Sequence, residues 1–318
     1  MTPTISVVTY VKNAAGTIEE AIKSVVSQDY PACEFIAIDG ASTDGTWEII
    51  GRYSSHFARM ISEPDSGAFE AANKGIALAT GEIVLLLMAD DWLAPGALQE
   101  IAAAFAADPA CDLVSSGVRV VDEADDGRRA TVVELGGTAN ALTLENVLAV
   151  PYAGARFYRR RLLERVGGMS SEYPAGHDRE LLLRCLAGGV RAGLIERPLY
   201  IYRRHAGSRT LVFNPKAYRR IYDENVRLAG HYESNEGFDQ ASRRTVVDWG
   251  YEQYARWALL ELRDGAPLAA VRAGFAGRLY RPAAVAALWR RWRAILARRR
   301  SLAQQEAQSR RTTLGAGQ

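Results

Sequence analysis

The chain has 318 residues, 48% of them hydrophobic, which is enough to bury a large core and excludes a disordered or fibrous protein. Its net charge is +2, yet from Arg281 to Gln318 nine Arg stand against one acid, Glu306, so that tail carries +8 and the remainder −6. Three widely separated cysteines (Cys33, Cys111, Cys185) exclude a disulfide framework and a paired-cysteine metal site, and read as thiols in a reducing compartment.

The first hundred residues alternate between two periods. Strands are predicted over Ile5–Tyr10, Phe35–Asp39, Ala58–Ser62 and Ile83–Ala89, and helices over Ala14–Ser27, Thr43–Tyr53, Gly67–Ala79 and Pro95–Ala107. Ser42 or Thr43 is the expected cap of the second helix, and Pro95 the expected first-turn residue of the fourth. Such alternation implies a parallel, doubly wound sheet. Asp112–Asp122 and Arg129–Leu135 flank an Asp125-Asp126-Gly127 turn and read as a hairpin. Helices follow at Thr143–Ala149, Arg160–Val166 and Asp178–Ala187, then strands at Val190–Ile195 and Leu199–Arg203. From about Asn214 the chain reads as helical and Arg-rich, broken near Ser234–Gly237, Asp264–Pro267 and Pro282, with a disordered last dozen residues. Met1 leads into Ile5-Ser6-Val7-Val8 without a basic leader, so no secretory signal is expected. The longest uncharged apolar runs, Ile83–Ala89 and Pro282–Trp289, are far shorter than the ~20 residues that span a bilayer, so the expected location is cytoplasmic or peripheral.

Two of the apolar strands end in acids: Phe35–Asp39 runs into Gly40-Ala41-Ser42-Thr43-Asp44, and Ile83–Ala89 into Asp90-Asp91. Ligands of open α/β sheets collect beyond the strands' carboxyl ends, and converging carboxylates there suit a divalent cation and a nucleoside diphosphate. Asp90-Asp91 stands before Pro95, too early to cap the next helix well, and two adjacent carboxylates repel without a cation. Asp39 before Gly40 also reads as a turn residue, and Asp44 as a plain helix start. Asp178 precedes Glu180-Leu181-Leu182-Leu183, so a helix N-cap accounts for it as well as chemistry does.

Taken in order, Ile5–Tyr10, Asp39–Thr46, Ser62–Gly67, Asn73-Lys74-Gly75 and Ala89-Asp90-Asp91 resemble the motifs of family 2 glycosyltransferases of the GT-A fold, over roughly residues 4–212. That resemblance implies a mostly parallel α/β sheet with helices on both faces. It divides the chain into a glycosyltransferase domain over 1–213 and a helical, basic extension over 214–318. Within the first, the nucleotide-sugar half would run to about 110 and the acceptor half over 111–213. It implies inverting transfer of a single sugar from a nucleotide-sugar, typically uridine-linked, with Mn²⁺ or Mg²⁺ as cofactor. The acceptor would be a hydroxyl of a glycan or lipid-linked molecule in cell-surface polysaccharide assembly. Thr9, Tyr10 and Asp39 would hold the nucleobase, Asp90 the ribose or sugar, and Asp91 the metal; Asp178 would be the catalytic base. Asp44, Asn73 and Lys74 complete the expected donor contacts. The chain departs from many relatives at Met88-Ala89, where they place Asn, and at Ala72, where they place Arg.

Other readings stand beside this one. A nucleotidyltransferase shares the fold and the metal carboxylates but opens with a Gly-rich basic loop, which Thr9–Gly16 lacks. A non-catalytic sugar- or nucleotide-binding scaffold could use the same crevice. Gln253-Tyr254-Ala255-Arg256-Trp257 matches a signature of membrane-embedded synthases, but it lies in a helix with a predicted core stripe of Val247, Tyr251, Tyr254, Ala258 and Leu262 and reads as coincidence. Val285–Arg300 mixes Leu288, Trp289, Trp292, Ile295 and Leu296 with six Arg, which suits an anionic membrane surface, with an oligomer contact as the alternative. No nucleic-acid module accompanies it.

Overall fold

The structure, a computed structural model, describes residues 2–124, 126–150, 152–205, 215–279, 281–293 and 297. The expected disorder of the last dozen residues, and Asp125, Ile295 and Leu296, lie outside these. The chain divides into two compact units, Met1–Asn214 and Pro215–Gln318.

In the first unit, β1 (Ile5–Val11), β2 (Cys33–Asp39), β3 (Arg59–Ser62) and β4 (Ile83–Met88) lie parallel in the order β3-β2-β1-β4. Val7, Val8, Ile36, Ile38 and Ile83–Leu87 are almost wholly buried, as continuous apolar runs of a covered parallel sheet should be. The sheet then turns mixed. β8 (Arg156–Arg159) joins β4 antiparallel and pairs with Leu113–Ser115 of β6 (Leu113–Glu123). β7 (Arg129–Leu135) forms the expected hairpin with the rest of β6. β9 (Ala192–Arg204) runs parallel to β6, and the two-residue β5 (Trp92–Leu93) pairs antiparallel with β9.

Three features differ from expectation. The strands predicted at Val190–Ile195 and Leu199–Arg203 are one strand, β9, whose register slips where Pro198 meets Gly117, because Pro has no N–H to give the ladder. β8 was not foreseen, since Arg-Phe-Tyr-Arg looks polar. Yet Arg156 is fully buried, and Arg159 is nearly so, donating to the carbonyls of Phe105 (2.8 Å) and Cys111 (3.3 Å). β5 is too short to leave a periodic signal.

The helices of this unit are α1 (Ile18–Val26), α2 (Thr46–Arg52), α3 (Ala68–Leu78), α4 (Ala97–Ala107), α5 (Leu144–Ala149), α6 (Arg160–Val166) and α7 (His177–Ala187). α1 starts later than predicted because the Ala14 and Ala15 amides are held by Thr46 Oγ1 (2.8 Å) and Asp44 Oδ2 (3.0 Å) instead. Neither Ser42 nor Thr43 caps α2; Gly45, at φ 96°, precedes it, and the Ser42 hydroxyl donates to Asp39. Pro95 lies before the α4 cap, Gly96 (φ 73°). α3 packs on β1 and β2 so closely that a Cβ on Gly75 would stand 2.1 Å from Val8 Cγ1.

The second unit contains α8 (Pro215–Glu233), α9 (Gln240–Arg263), α10 (Pro267–Ala276) and α11 (282–293), separated by the expected breaks. Asp239 caps α9 by accepting from the Ser242 amide at 2.7 Å. The α9 core stripe is not the predicted one. Val246, Trp249, Gln253 and Leu260 are buried and Leu262 is exposed, because Asp248, Glu252 and Glu261 are drawn inward by Arg290, Arg291 and Arg219. Gln253 accepts from Asn225 (2.9 Å), and Arg256 and Trp257 donate to Glu252 and Glu261 of their own helix, so the synthase-like signature is helix packing.

Candidate active site at the carboxyl edge of the parallel strands

The chain leaves β1 toward β2 on one side and returns as β4 on the other, so β1 and β4 flank a switch point where a crevice opens beyond the carboxyl ends. In register, Val11 pairs with Asp39 and Tyr10 with Met88, which brings Tyr10, Asp39 and the Asp90-Asp91 turn to one edge.

The two aspartates at the end of β4 have different surroundings. Asp91 is 1% exposed. Its Oδ2 accepts from the Tyr200 hydroxyl (2.6 Å) and its Oδ1 from the Arg203 backbone N–H (2.8 Å). Burial, and after it the neighbouring Asp90 charge, pushes the Asp91 carboxyl well above the usual carboxylate range. Asp90 is the accessible member, its side chain 36% exposed and its Oδ2 3.4 Å from His205 Nε2. Arg203 fixes the turn between them: its Nε donates to the Asp90 carbonyl (2.7 Å), and its other nitrogens donate to Glu123 and Glu20 (2.5 Å each). Arg203 and Arg129 both lie over the Trp92 ring, at 4.9 and 5.1 Å, and Arg129 binds the same two glutamates at 2.7 Å. The expectation gave the metal to Asp91 and the sugar to Asp90; the geometry instead presents Asp90 and withdraws Asp91.

Among the described residues, no three His, Cys, Asp or Glu side chains converge into a closed metal cage. Asp90 and His205 offer one carboxylate and one imidazole. That pair fits an ion that takes its remaining ligands from phosphate oxygens and water, as Mg²⁺-like ions do.

The other expected donor residues divide into those that edge the crevice and those bound into the scaffold. Tyr10 is half-buried at the end of β1. Asp39 is fully buried, accepting from the Ser42 amide (3.0 Å) and hydroxyl (2.5 Å) and from Ser62 (2.6 Å), so about one of its four acceptor positions remains. Beside it, a Cβ on Gly40 would stand 2.3 Å from Asp65 Oδ2. Thr9 is fully buried and its hydroxyl has no hydrogen-bond partner among the described residues, so a nucleobase contact from its side chain does not follow. Asp44 ties two loops together through Ala15 and Thr46. The Asn73 amide clamps the loop after α6, donating to Met169 O (2.8 Å) and accepting from Met169 N (2.7 Å). Lys74 is held by Glu63 (2.8 Å) and Glu70 (3.1 Å).

Asp178 lies in the first turn of α7, but the cap is Gly176, so the capping account fails. Its Oδ1 accepts from the Arg179 amide at 2.7 Å. Burial raises the Tyr158 phenol first, and Cys185, Asp178 and Tyr10 add to it; burial likewise raises Tyr200, with Asp91, Tyr10 and Asp90 adding. Tyr10 is common to both. Sequence reasoning missed Tyr200, Glu20, Arg129 and Trp92, whose partners lie far along the chain; His205 had a signal in the Arg203-Arg204-His205 run after a strand.

The mixed sheet, with acidic residues beyond the carboxyl ends of its parallel strands, has the GT-A architecture. Residues 6–167, half of the chain, match the family described as glycosyl transferase family 2, and the protein belongs to that family. A glycosyltransferase of Mycobacterium tuberculosis, described as uncharacterized, is 30% identical over 185 residues, covering 57% of this chain and 68% of its own. The O-antigen biosynthesis protein RfbC of Myxococcus xanthus is 30% identical over 207 residues, 62% of this chain and 16% of that one. Among solved structures, S. aureus TarS 1–349 in complex with UDP-GlcNAc superimposes with TM-score 0.61 at 18% identity, covering 80% of this chain and 73% of TarS. The mannosyltransferase PcManGT from Pyrobaculum calidifontis, in complex with GDP-Man and Mn²⁺, gives 0.54 at 23% identity, covering 95% and 86%. Both likenesses concern the fold.

Proposed function

We propose that the protein is an inverting glycosyltransferase that moves one sugar, of hexose type, from a nucleoside diphosphate donor to an acceptor hydroxyl. The observation that carries this reading is the accessible Asp90–His205 pair beside a locked Asp91 at the switch point. Asp90 and His205 would hold a Mn²⁺- or Mg²⁺-like ion, which when bound neutralises the charge developing on the leaving diphosphate. Tyr10 and Asp39 edge the nucleobase position, and UDP-GlcNAc in TarS supports a uridine-linked donor. Asp44, Asn73 and Lys74 serve by holding the loops that shape the crevice, and Thr9 by its place inside β1. Asp178 acts as the base that takes the acceptor proton as the hydroxyl attacks the anomeric carbon from the face opposite the leaving group. Holding both substrates in line supplies the rest of the rate. The O-antigen role of RfbC supports surface-polysaccharide assembly on a glycan or lipid-linked acceptor, at the cytoplasmic side of the membrane.

The test is a panel of UDP-, GDP- and dTDP-sugars scored by donor hydrolysis and thermal shift, with Mn²⁺ and with chelator. One donor should raise the melting midpoint and be hydrolysed only with the metal. Binding without hydrolysis or transfer to any acceptor would instead establish a scaffold.

A further inference from the structure

The second unit is turned partly inside out. α9 buries Asp248, Glu252 and Glu261 while Leu259 and Leu262 stand 66% and 54% exposed. α10 buries Ala270 and Ala273 and exposes Leu268, Val271 and Phe275. α11 buries Ala284, Ala287 and Arg291 and exposes Val285, Trp289 and Trp292. Each exposed set recurs at spacings of three, four or seven, so each forms a stripe on one helix face. Ion pairs fix which way α11 faces. Arg290 grips both oxygens of Asp248 at 2.6 Å, and Arg291 donates to Glu252 at 2.7 Å, leaving Trp289 and Trp292 outward and stacked at 4.9 Å.

The stripes of α10 and α11 share one sign of charge. From Gly265 to Arg293 there are six Arg and no Asp or Glu, and Arg272, Arg278, Arg281 and Arg293 are exposed. An exposed apolar surface rimmed by polar groups marks an interaction site. Trp rings settle at the headgroup level of a bilayer, and guanidinium groups pair with anionic lipid phosphates. A second copy of the chain would bring the same uncompensated positive charge to the contact, which disfavours self-association. No helix among the described residues is long and apolar enough to cross a membrane. We infer that the exposed stripes of α9, α10 and α11 together form a docking face for an anionic lipid bilayer, on which the second unit lies without spanning it. The face extends well beyond the Trp-containing segment and stands independently of the transferase reading.

The experiment is co-sedimentation of the full chain with vesicles of phosphatidylcholine, alone or mixed with phosphatidylglycerol, at low and high salt. The protein should pellet with the mixed vesicles only, and less as salt rises. Leu268→Glu with Val271→Glu, on α10, should weaken binding at least as much as Trp289→Ala with Trp292→Ala. Arg272→Gln, Arg278→Gln and Arg281→Gln combined, all at exposed positions, should weaken it by on the order of tenfold or more. Equal pelleting of wild type and these variants, or none with anionic vesicles, overturns the inference. So does a dimer seen by light scattering and lost in the α10 variant, which would assign the face to a second copy. Donor hydrolysis without vesicles separates the two readings: lipid binding without hydrolysis refutes the transferase alone, and hydrolysis without lipid binding refutes the docking face alone.

Discussion

Tyr200 and Asp91, 109 residues apart in sequence, meet through a 2.6 Å hydrogen bond in which a buried phenol donates to a buried carboxylate. This contact joins β9 to the turn after β4 and holds Asp91 inward, so that Asp90 is the carboxylate presented to the crevice. Tyr200 is itself held in place by Gly154, where a Cβ would stand 2.1 Å from the phenol ring.

Removing the hydroxyl should therefore cost both stability and function. Tyr200→Phe leaves a buried carboxylate oxygen without its donor, a loss of about 1–3 kcal/mol, or several degrees of melting midpoint in a unit of this size. Gly154→Ala should act similarly by displacing the ring. Calorimetric melting with metal-dependent donor hydrolysis checks both. An unshifted midpoint in Tyr200→Phe would mean that the bond does not hold the turn.

The two aspartates should separate cleanly when each is replaced by Asn. Asp90→Asn removes an accessible oxygen that His205 approaches at 3.4 Å, so the fold should be little affected while Mn²⁺-dependent nucleotide binding falls tenfold or more on the scale of a lost charge-assisted contact. Asp91→Asn should retain part of the metal effect, because its role is to set the turn. Isothermal titration of UDP with and without Mn²⁺ decides between them. A metal effect lost in Asp91→Asn and kept in Asp90→Asn would return the ligand role to Asp91.

Much of this was legible in the sequence, and the failures have a common physical origin. β1, β2 and β4 announce themselves because a strand covered on both faces must be apolar throughout. The acids at their carboxyl ends then mark the crevice without any tertiary information. What a local pattern cannot carry is the partner of a polar group. Asp90 and Asp91 are equivalent in sequence until Tyr200 and Arg203 claim one of them. Asn73 reads as a ligand contact until Met169, 96 residues on, takes its amide. β8 was missed for the same reason, since its arginines are buried only because distant carbonyls receive them. The α9 core face was misjudged because Asp248 and Glu252 turn inward to meet arginines some forty residues later.

The cysteines should be silent in the folded protein. Burial pushes the Cys33 thiol up to about 11 and Cys185 up to about 12, and it raises Cys111 as well. At pH 8 roughly 0.1% of Cys33 would be thiolate, too little for appreciable reaction. Iodoacetamide should label all three only in denaturant, and donor hydrolysis should survive exposure to the reagent. The folded state holds these protons more tightly than the unfolded chain, whose thiols titrate at about 8.5. Their contribution to stability is thus complete below that value and lost as pH rises toward 11 and 12. Rapid native labelling of any one cysteine would show an open, activated thiol instead.

Asp178 provides the sharpest separation of chemistry from structure. It follows the Gly176 cap of α7 and, among the described residues, accepts a local amide bond from Arg179 at 2.7 Å. Asp178→Asn preserves shape and that acceptor, giving up no more than the favourable meeting of a carboxylate with a helix N-terminus, about 0.3–1 kcal/mol. The melting midpoint should thus move little, and UDP with Mn²⁺ should bind as before, because the proposed donor contacts lie at the ends of β1, β2 and β4. Transfer, however, needs a group that can take the acceptor proton as the new bond forms, and an amide cannot. The loss should be on the order of a hundredfold or more in turnover, with donor affinity unchanged. Single-turnover transfer alongside calorimetric titration of the nucleotide measures both quantities on one preparation. A drop of only a few-fold, with a lower midpoint, would make Asp178 a helix-stabilising residue and send the search for the base elsewhere in the crevice.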